Sequence, residues 1–215
     1  MKVTGILISG IISFALVCSS FAQAGEADDY FKQARELIDK GDYQQAIDYV
    51  KKAVELKPDS PLFYTALGLC YHNIGRDEAA IPELESAMRL KGGYSPSYLL
   101  GLIYWQKNKF QDAVRYLNSA VAYWTPRIRN TDSFNLLGFS YMQIDNLKEA
   151  KKVLERAYEI NGSSSVTLYL LASCNDMMGN GRGAASYYQR YLKSNHNNPQ
   201  MIENAEQRLA DIKQR

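Results

Sequence analysis

Histidine, cysteine and proline are scarce in this chain of 215 residues, which has two, three and six of them. Catalytic bases, nucleophilic thiols and metal sites depend mainly on the first two types, and no spacing in the sequence is typical of a metal-ligand cluster. His72 and Cys70 lie two positions apart on a predicted helix, so they point to different faces and cannot form a nucleophile–base pair. We therefore predict a protein that is not an enzyme and that has no metal site and no cofactor.

An excess of positive charge is also lacking. The chain has 25 Lys and Arg residues against 23 Asp and Glu residues, a formal net charge of +2, and no cluster of basic residues. Nucleic-acid binding depends on a concentrated positive field, so we expect no nucleic acid as a partner.

The first 24 residues differ in composition from the rest of the chain. Lys2 precedes an apolar run over residues 6–17, and Ala22-Gln23-Ala24 provides the small residues that signal peptidase requires. The run is shorter than the roughly 20 residues of a membrane-spanning helix. We expect residues 1–24 to be a signal peptide, and the protein to be exported and either periplasmic or secreted.

Two other interpretations of this segment stay open. No charged residue lies between Lys2 and Glu26, as expected of an uncleaved anchor that would hold the protein at the membrane. Cys18 suggests a lipoprotein signal, although Val17 is bulkier than the residue that such signals place before the cysteine.

The remaining sequence repeats itself about every 34 residues. A column of small residues recurs at intervals of 34, 33, 37 and 34: Ala34, Gly68, Gly101, Gly138 and Ala172. Twelve residues after each of them stands an alanine: Ala46, Ala80, Ala113, Ala150 and Ala184. Apolar residues around these columns follow three- and four-residue spacings, the period of an amphipathic helix. Each block therefore predicts a pair of helices that approach closely at the small residue.

A short break separates the two predicted helices of every block. It contains a residue type that tolerates the left-handed backbone conformation found at helix ends: Gly41, Gly75, Asn108, Asp145 and Gly179. We expect each helical hairpin to turn at these residues.

These blocks resemble the tetratricopeptide repeat, most closely in YTALGLCYHNIGRDEAAIPELESAMRL and YLLGLIYWQKNKFQDAVRYLNSAVAY. The resemblance implies an all-α fold, a right-handed superhelical solenoid of helix-turn-helix repeats. The implied repeats cover residues 27–60, 61–93, 94–130, 131–164 and 165–198. The third repeat is longer by a loop, Trp124–Arg129, which is either a plain surface loop or a cationic, aromatic contact point.

Residues 199–215 form a further predicted helix, with Met201, Ala205, Leu209 and Ile212 on one face. A stack of repeats needs a cap at its end, so we expect this helix to cover repeat five. The alternative is an independent helix that binds a partner.

In the family, the first helix of each repeat lines the concave surface. Alignment of the five repeats with the family pattern therefore predicts a partner-binding groove on that surface, lined by nine residues: Phe31, Leu62, Leu69, Tyr98, Leu102, Trp105, Phe139, Met142 and Tyr169. Polar residues at such positions include Arg35, Thr65 and Asp176. An exposed apolar row usually marks a binding site. The alternative is that tight superhelical curvature buries part of the row.

The sequence thus predicts a non-enzymatic, exported scaffold for protein–protein interaction, acting in assembly of a cell-envelope, secretion or pilus-type complex. Its expected partner is another protein or peptide, not a small-molecule substrate. The alternative function is a membrane-anchored regulatory or targeting subunit of an enzyme complex.

Overall fold

The computed structural model describes residues 25–126, 130–194 and 198–214. Every regular element among these residues is an α-helix, which confirms the all-α prediction. The chain divides into two compact units, one ending at Leu99 and the other beginning at Leu100. This division falls within helix α5, Tyr94–Gln106.

Unit one consists of two helical hairpins and the start of α5. Helix α1 covers the described residues 25–40, and it is followed by α2 (Tyr43–Leu56), α3 (Pro61–Asn73) and α4 (Asp77–Arg89). Helix α3 packs against both α2 and α4. Alanines and larger apolar residues of α1 and α2, among them Phe31 and Ile47, form the buried core together with Phe63 and Leu67 of α3.

Unit two continues the alternation of helices and tight turns. After the end of α5 come α6 (Phe110–Ala122), α7 (Asp132–Gln143), α8 (Leu147–Ile160), α9 (Ser165–Met177), α10 (Gly181–Lys193) and α11 (Pro199–Gln214). Each of these helices from α6 onward packs against the next, and α7 also contacts α9. Because α7 and α9, the first helices of two successive repeats, touch, they bury part of the face that each would otherwise expose.

The five turn residues expected between paired helices all adopt the left-handed conformation. Their φ angles are +82° at Gly41, +75° at Gly75, +56° at Asn108, +58° at Asp145 and +75° at Gly179. This conformation lets the residue that follows donate its N–H back to the last helical turn, as Asn146 does to the Tyr141 carbonyl at 2.8 Å. The prediction of the turns is confirmed.

The column of small residues is where paired helices come closest. A Cβ added to Gly138 of α7 would lie 2.5 Å from Leu154 of α8, and one added to Gly101 would lie 2.5 Å from Leu117. Gly68 faces Leu84 in the same way. Each leucine stands 16 residues after its glycine, so the close approach predicted from the columns is confirmed.

Candidate functional site

The nine residues predicted to line a groove differ widely in exposure. Leu62 is 57% exposed and is the most exposed large apolar side chain of the described residues. Phe31 and Met142, in contrast, retain 8% and 6% of their surface. The other six are half-buried: Leu69, Tyr98, Leu102, Trp105, Phe139 and Tyr169.

The expectation of an exposed ring at Phe31 and an exposed thioether at Met142 is wrong. The Phe31 ring packs on Phe63 of the next repeat, with ring centroids 4.7 Å apart. Met142 belongs to a buried cluster that includes Leu170 and Leu171 of the next first helix, α9. Both positions face the neighbouring repeat, so contact between first helices covers most of each side chain, and Phe31 keeps only a small exposed part.

Three residues of the predicted row, Phe31, Leu62 and Leu69, lie in unit one beside an open groove between α1 and α3. A groove of about 440 Å³ opens there. Its lining defines the α1–α3 groove: Phe31, Arg35, Ile38, Asp39, Leu62, Thr65, Ala66 and Leu69. The Thr65 hydroxyl donates its hydrogen to the Pro61 carbonyl at 2.7 Å, so this hydrogen is not available to a ligand in the groove. The floor of the groove is therefore mainly apolar.

Two opposite charges stand beside this apolar floor. Arg35 and Asp39 are exposed and lie one turn apart on α1. Among the described residues neither forms an ion pair or a side-chain hydrogen bond. An adjoining cavity of about 400 Å³ shares Phe31, Arg35, Asp39 and Leu62 with the groove and extends along α1. A ligand with an apolar group flanked by charges would find complementary contacts here.

The predicted row of unit two is engaged in ring–ring contacts. The Trp105 ring meets Phe139 edge to face at 5.9 Å, and Phe139 meets Phe110 at 6.0 Å. The indole Nε1 of Trp105 is buried and has no hydrogen-bond partner among the described atoms. Trp105 and Phe139 are thus neighbours, as the register implies, and each is half-buried and in contact with the other.

In repeat five the predicted row meets α11. The Tyr169 hydroxyl donates to Asn204 Oδ1 at 3.0 Å, and its ring packs against Tyr188 and Tyr191. Asp176, placed by the register on the concave surface, is bound by Arg208 of α11. Sequence reasoning missed this ion pair. The sequence gives one indication, a carboxylate at Asp176 where repeats one to four have Ile38, His72, Trp105 and Met142, but it does not identify the partner.

Other predictions concern residues outside those that the structure describes. The segment 1–24, and with it the proposed signal peptide, lies outside them, as do residues 127–129 of the longer loop. The described beginning of that loop places Trp124 edge to face on Phe134 at 5.6 Å.

Among the described residues, no group of three or more His, Cys, Asp or Glu side chains is placed to hold a metal ion. Cys70 and Cys174 are free and buried, and burial raises the pKa of the Cys70 thiol to about 11. A protonated, enclosed thiol is a weak nucleophile, so these cysteines act as apolar fillers. No described helix has the length and apolar character needed to cross a bilayer.

Family models described as tetratricopeptide repeat match residues 31–95, and residues 95–123 and 131–164. A TPR repeat-containing protein of Methanocaldococcus jannaschii is 25% identical over 65% of this chain, and a small glutamine-rich tetratricopeptide repeat-containing protein of Mycosarcoma maydis is 27% identical over 45%. The matches span 24% and 28% of those two relatives, so this chain corresponds to about a quarter of their length.

Solved structures show the same fold at low sequence identity. PilF of Pseudomonas aeruginosa superposes with a TM-score of 0.69 at 17% identity, over 89% of this chain and 90% of its own. MamA of Desulfovibrio magneticus gives 0.68 at 17% identity, over 78% and 94%. YrrB, described as a TPR protein with an unusual peptide-binding site, gives 0.71 at 18% identity, over 83% and 90%.

Proposed function

Because this chain belongs to the tetratricopeptide repeat family, we propose that it is a non-enzymatic scaffold that holds a segment of another protein in the α1–α3 groove. The observation that carries the proposal is Leu62, which is 57% exposed at the edge of a mainly apolar groove of about 440 Å³. A large side chain left in water beside an open apolar surface contributes more to binding than to folding. The fold matches that of YrrB, whose description includes a peptide-binding site.

The chemistry of the groove favours a peptide segment over a small polar molecule. Phe31, Leu62 and Leu69 supply an apolar surface, and a groove of this volume admits one or two large side chains. Arg35 and Asp39 would pair with charges of opposite sign on either side of those side chains. Such pairs fix the direction and register of a bound segment, while the apolar contacts supply most of the affinity.

Leu62→Asp should weaken partner binding at least tenfold and change the free energy of unfolding by less than about 0.5 kcal/mol. The carboxylate would be placed against the apolar floor in the complex, whereas the exposed leucine loses little burial in the free protein. The partner segment is identified by photo-crosslinking from position 62 in the native host. Its affinity for the wild-type and variant proteins is then measured by calorimetry.

Val166→Asp is the matched control. Val166 stands six residues before Ala172, as Leu62 stands six before Gly68, and it is 48% exposed but outside the α1–α3 groove. A photo-crosslinker at position 166 should not label the same segment, and Val166→Asp should not reduce the affinity for it. Equal losses from both variants would place the binding surface elsewhere and refute this site.

The proposal includes export, with action in assembly of a cell-envelope, secretion or pilus-type complex. The motive is the short apolar run followed by Ala22-Gln23-Ala24. Protein isolated from the native host should begin at Gly25 and appear in the periplasmic or culture fraction, as determined by N-terminal sequencing after fractionation. An intact N-terminal segment in the membrane pellet would instead support a membrane-anchored regulatory or targeting subunit.

A further inference from the structure

Helix α11 packs on repeat five through an apolar contact in which one of its own residues is fully buried. Of its 16 residues, Pro199–Gln214, Ala205 is the fully buried one. Met201, Ile202 and Ile212 are half-buried against a cluster that contains Leu168 and Tyr188. Because apolar burial is the main source of helix docking energy, this contact gives α11 a modest attachment.

The strongest polar contact of α11 is an ion pair with α9. Arg208 donates from Nε to Asp176 Oδ2 at 2.7 Å, and its Nη2 lies 2.6 Å from the same oxygen. Its Nη1 lies 3.5 Å from Asp211 Oδ2, on α11 itself. The Asp176 side chain is 6% exposed, so its charge is almost fully removed from water. Removing one member of such a pair leaves an uncompensated buried charge.

This ion pair is particular to repeat five. The equivalent positions in repeats one to four are Ile38, His72, Trp105 and Met142, and Met142 packs in an apolar cluster with the following first helix. A buried ion pair adds little net stability relative to apolar packing, but it selects strongly for a partner of the right charge. We call the surface of α9 and α10 under α11 the seat of α11. Its specificity therefore depends more on an arginine that pairs with Asp176 than on close apolar packing.

We propose that α11 is an exchangeable helix, latched over repeat five by Asp176 and Arg208. The surface beneath it accepts, in its place, an amphipathic helix of a partner protein that carries an arginine at the position of Arg208. The Tyr169 hydroxyl, which bonds Asn204 of α11, and the Tyr188 ring belong to this seat. This inference is independent of the α1–α3 groove, because it concerns α9, α10 and α11 of unit two alone.

The test uses the full chain and a fluorescent peptide with the sequence of residues 199–214. In the Arg208→Glu variant, α11 should exchange its amide hydrogens at least tenfold faster than in the wild type, while α9 and α10 keep their protection. The peptide should bind this variant at least tenfold more tightly than the wild type, in which α11 occupies the seat. A peptide carrying Arg208→Glu should not bind.

Glu206→Lys is the matched control, since it reverses an exposed charge on the same helix and should leave both measurements unchanged. Asp176→Asn, which removes the charge but keeps the shape, should also release α11 and should reduce peptide binding. Unchanged exchange of α11 in Arg208→Glu would overturn the latch. Loss of protection across α9 and α10 together with α11, or failure of either variant to fold, would show α11 to be an integral cap and overturn exchange.

Discussion

Gly138→Ala should lower the free energy of unfolding by about 2 kcal/mol, measured by urea denaturation. The added methyl group would lie 2.5 Å from Leu154 Cγ and Cδ2, a separation at which either the Leu154 side chain or the two helices must shift. Leu154 is fully buried and cannot swing into solvent. The cost therefore arises from overpacking the contact between the two helices of repeat four.

A second substitution distinguishes overpacking from the ordinary effects of replacing a glycine. Repeat one has Ala34 and Val50 at the positions of Gly138 and Leu154, so the pair Gly138→Ala with Leu154→Val should be more stable than the sum of the single changes predicts. Gly162→Ala is the control, because its added Cβ would meet nothing closer than 3.4 Å. Strict additivity in the double variant would contradict the steric explanation.

Trp105→Ala should destabilise unit two by about 2–3 kcal/mol, less than the 3–5 kcal/mol typical of a fully buried aromatic side chain. Trp105 is half-buried, and its ring lies edge to face with Phe139 at 5.9 Å. The substitution removes that contact and the buried surface of the indole. Thermal and urea unfolding, followed by far-UV circular dichroism, measure the change.

The affinity of the folded Trp105→Ala protein for the partner shows whether the Trp105 side chain acts in packing or in binding. If the α1–α3 groove is the binding site, the folded variant should bind as the wild type does, whereas Leu62→Asp should not. Phe139→Ala should destabilise in the same direction, and the double variant should lose less than the sum of the two, because the rings contact each other. An unchanged melting curve with weakened binding would make Trp105 an interface anchor.

The turns and helix pairs could be predicted from sequence because they depend on local chemistry. Gly41, Asn108 and Asp145 are types that adopt positive φ at low cost, and they do so here. The column of small residues indicated where the paired helices approach closely, whereas the leucine that each glycine meets was seen only in the structure. Such features repeat in every block, so each repeat supplied independent evidence for the same register.

The candidate site was predicted less well. The register identified the first helices, but it treated Phe31, Met142 and Leu62 alike, whereas the structure buries the first two and exposes the third. Amphipathic spacing tells which face of a helix is apolar. It does not tell how much of that face the next repeat covers.

The sequence by itself determined the repeat length, the helical hairpins, their turns and their family, because each depends on residues within one block. Only the tertiary structure decided which apolar side chains stay accessible and which charges meet. Arg208 and Asp176 are 32 residues apart and pair because α11 packs on repeat five. Burial and pairing of this kind depend on packing between elements that are distant along the chain, and a local pattern of residue types does not encode it.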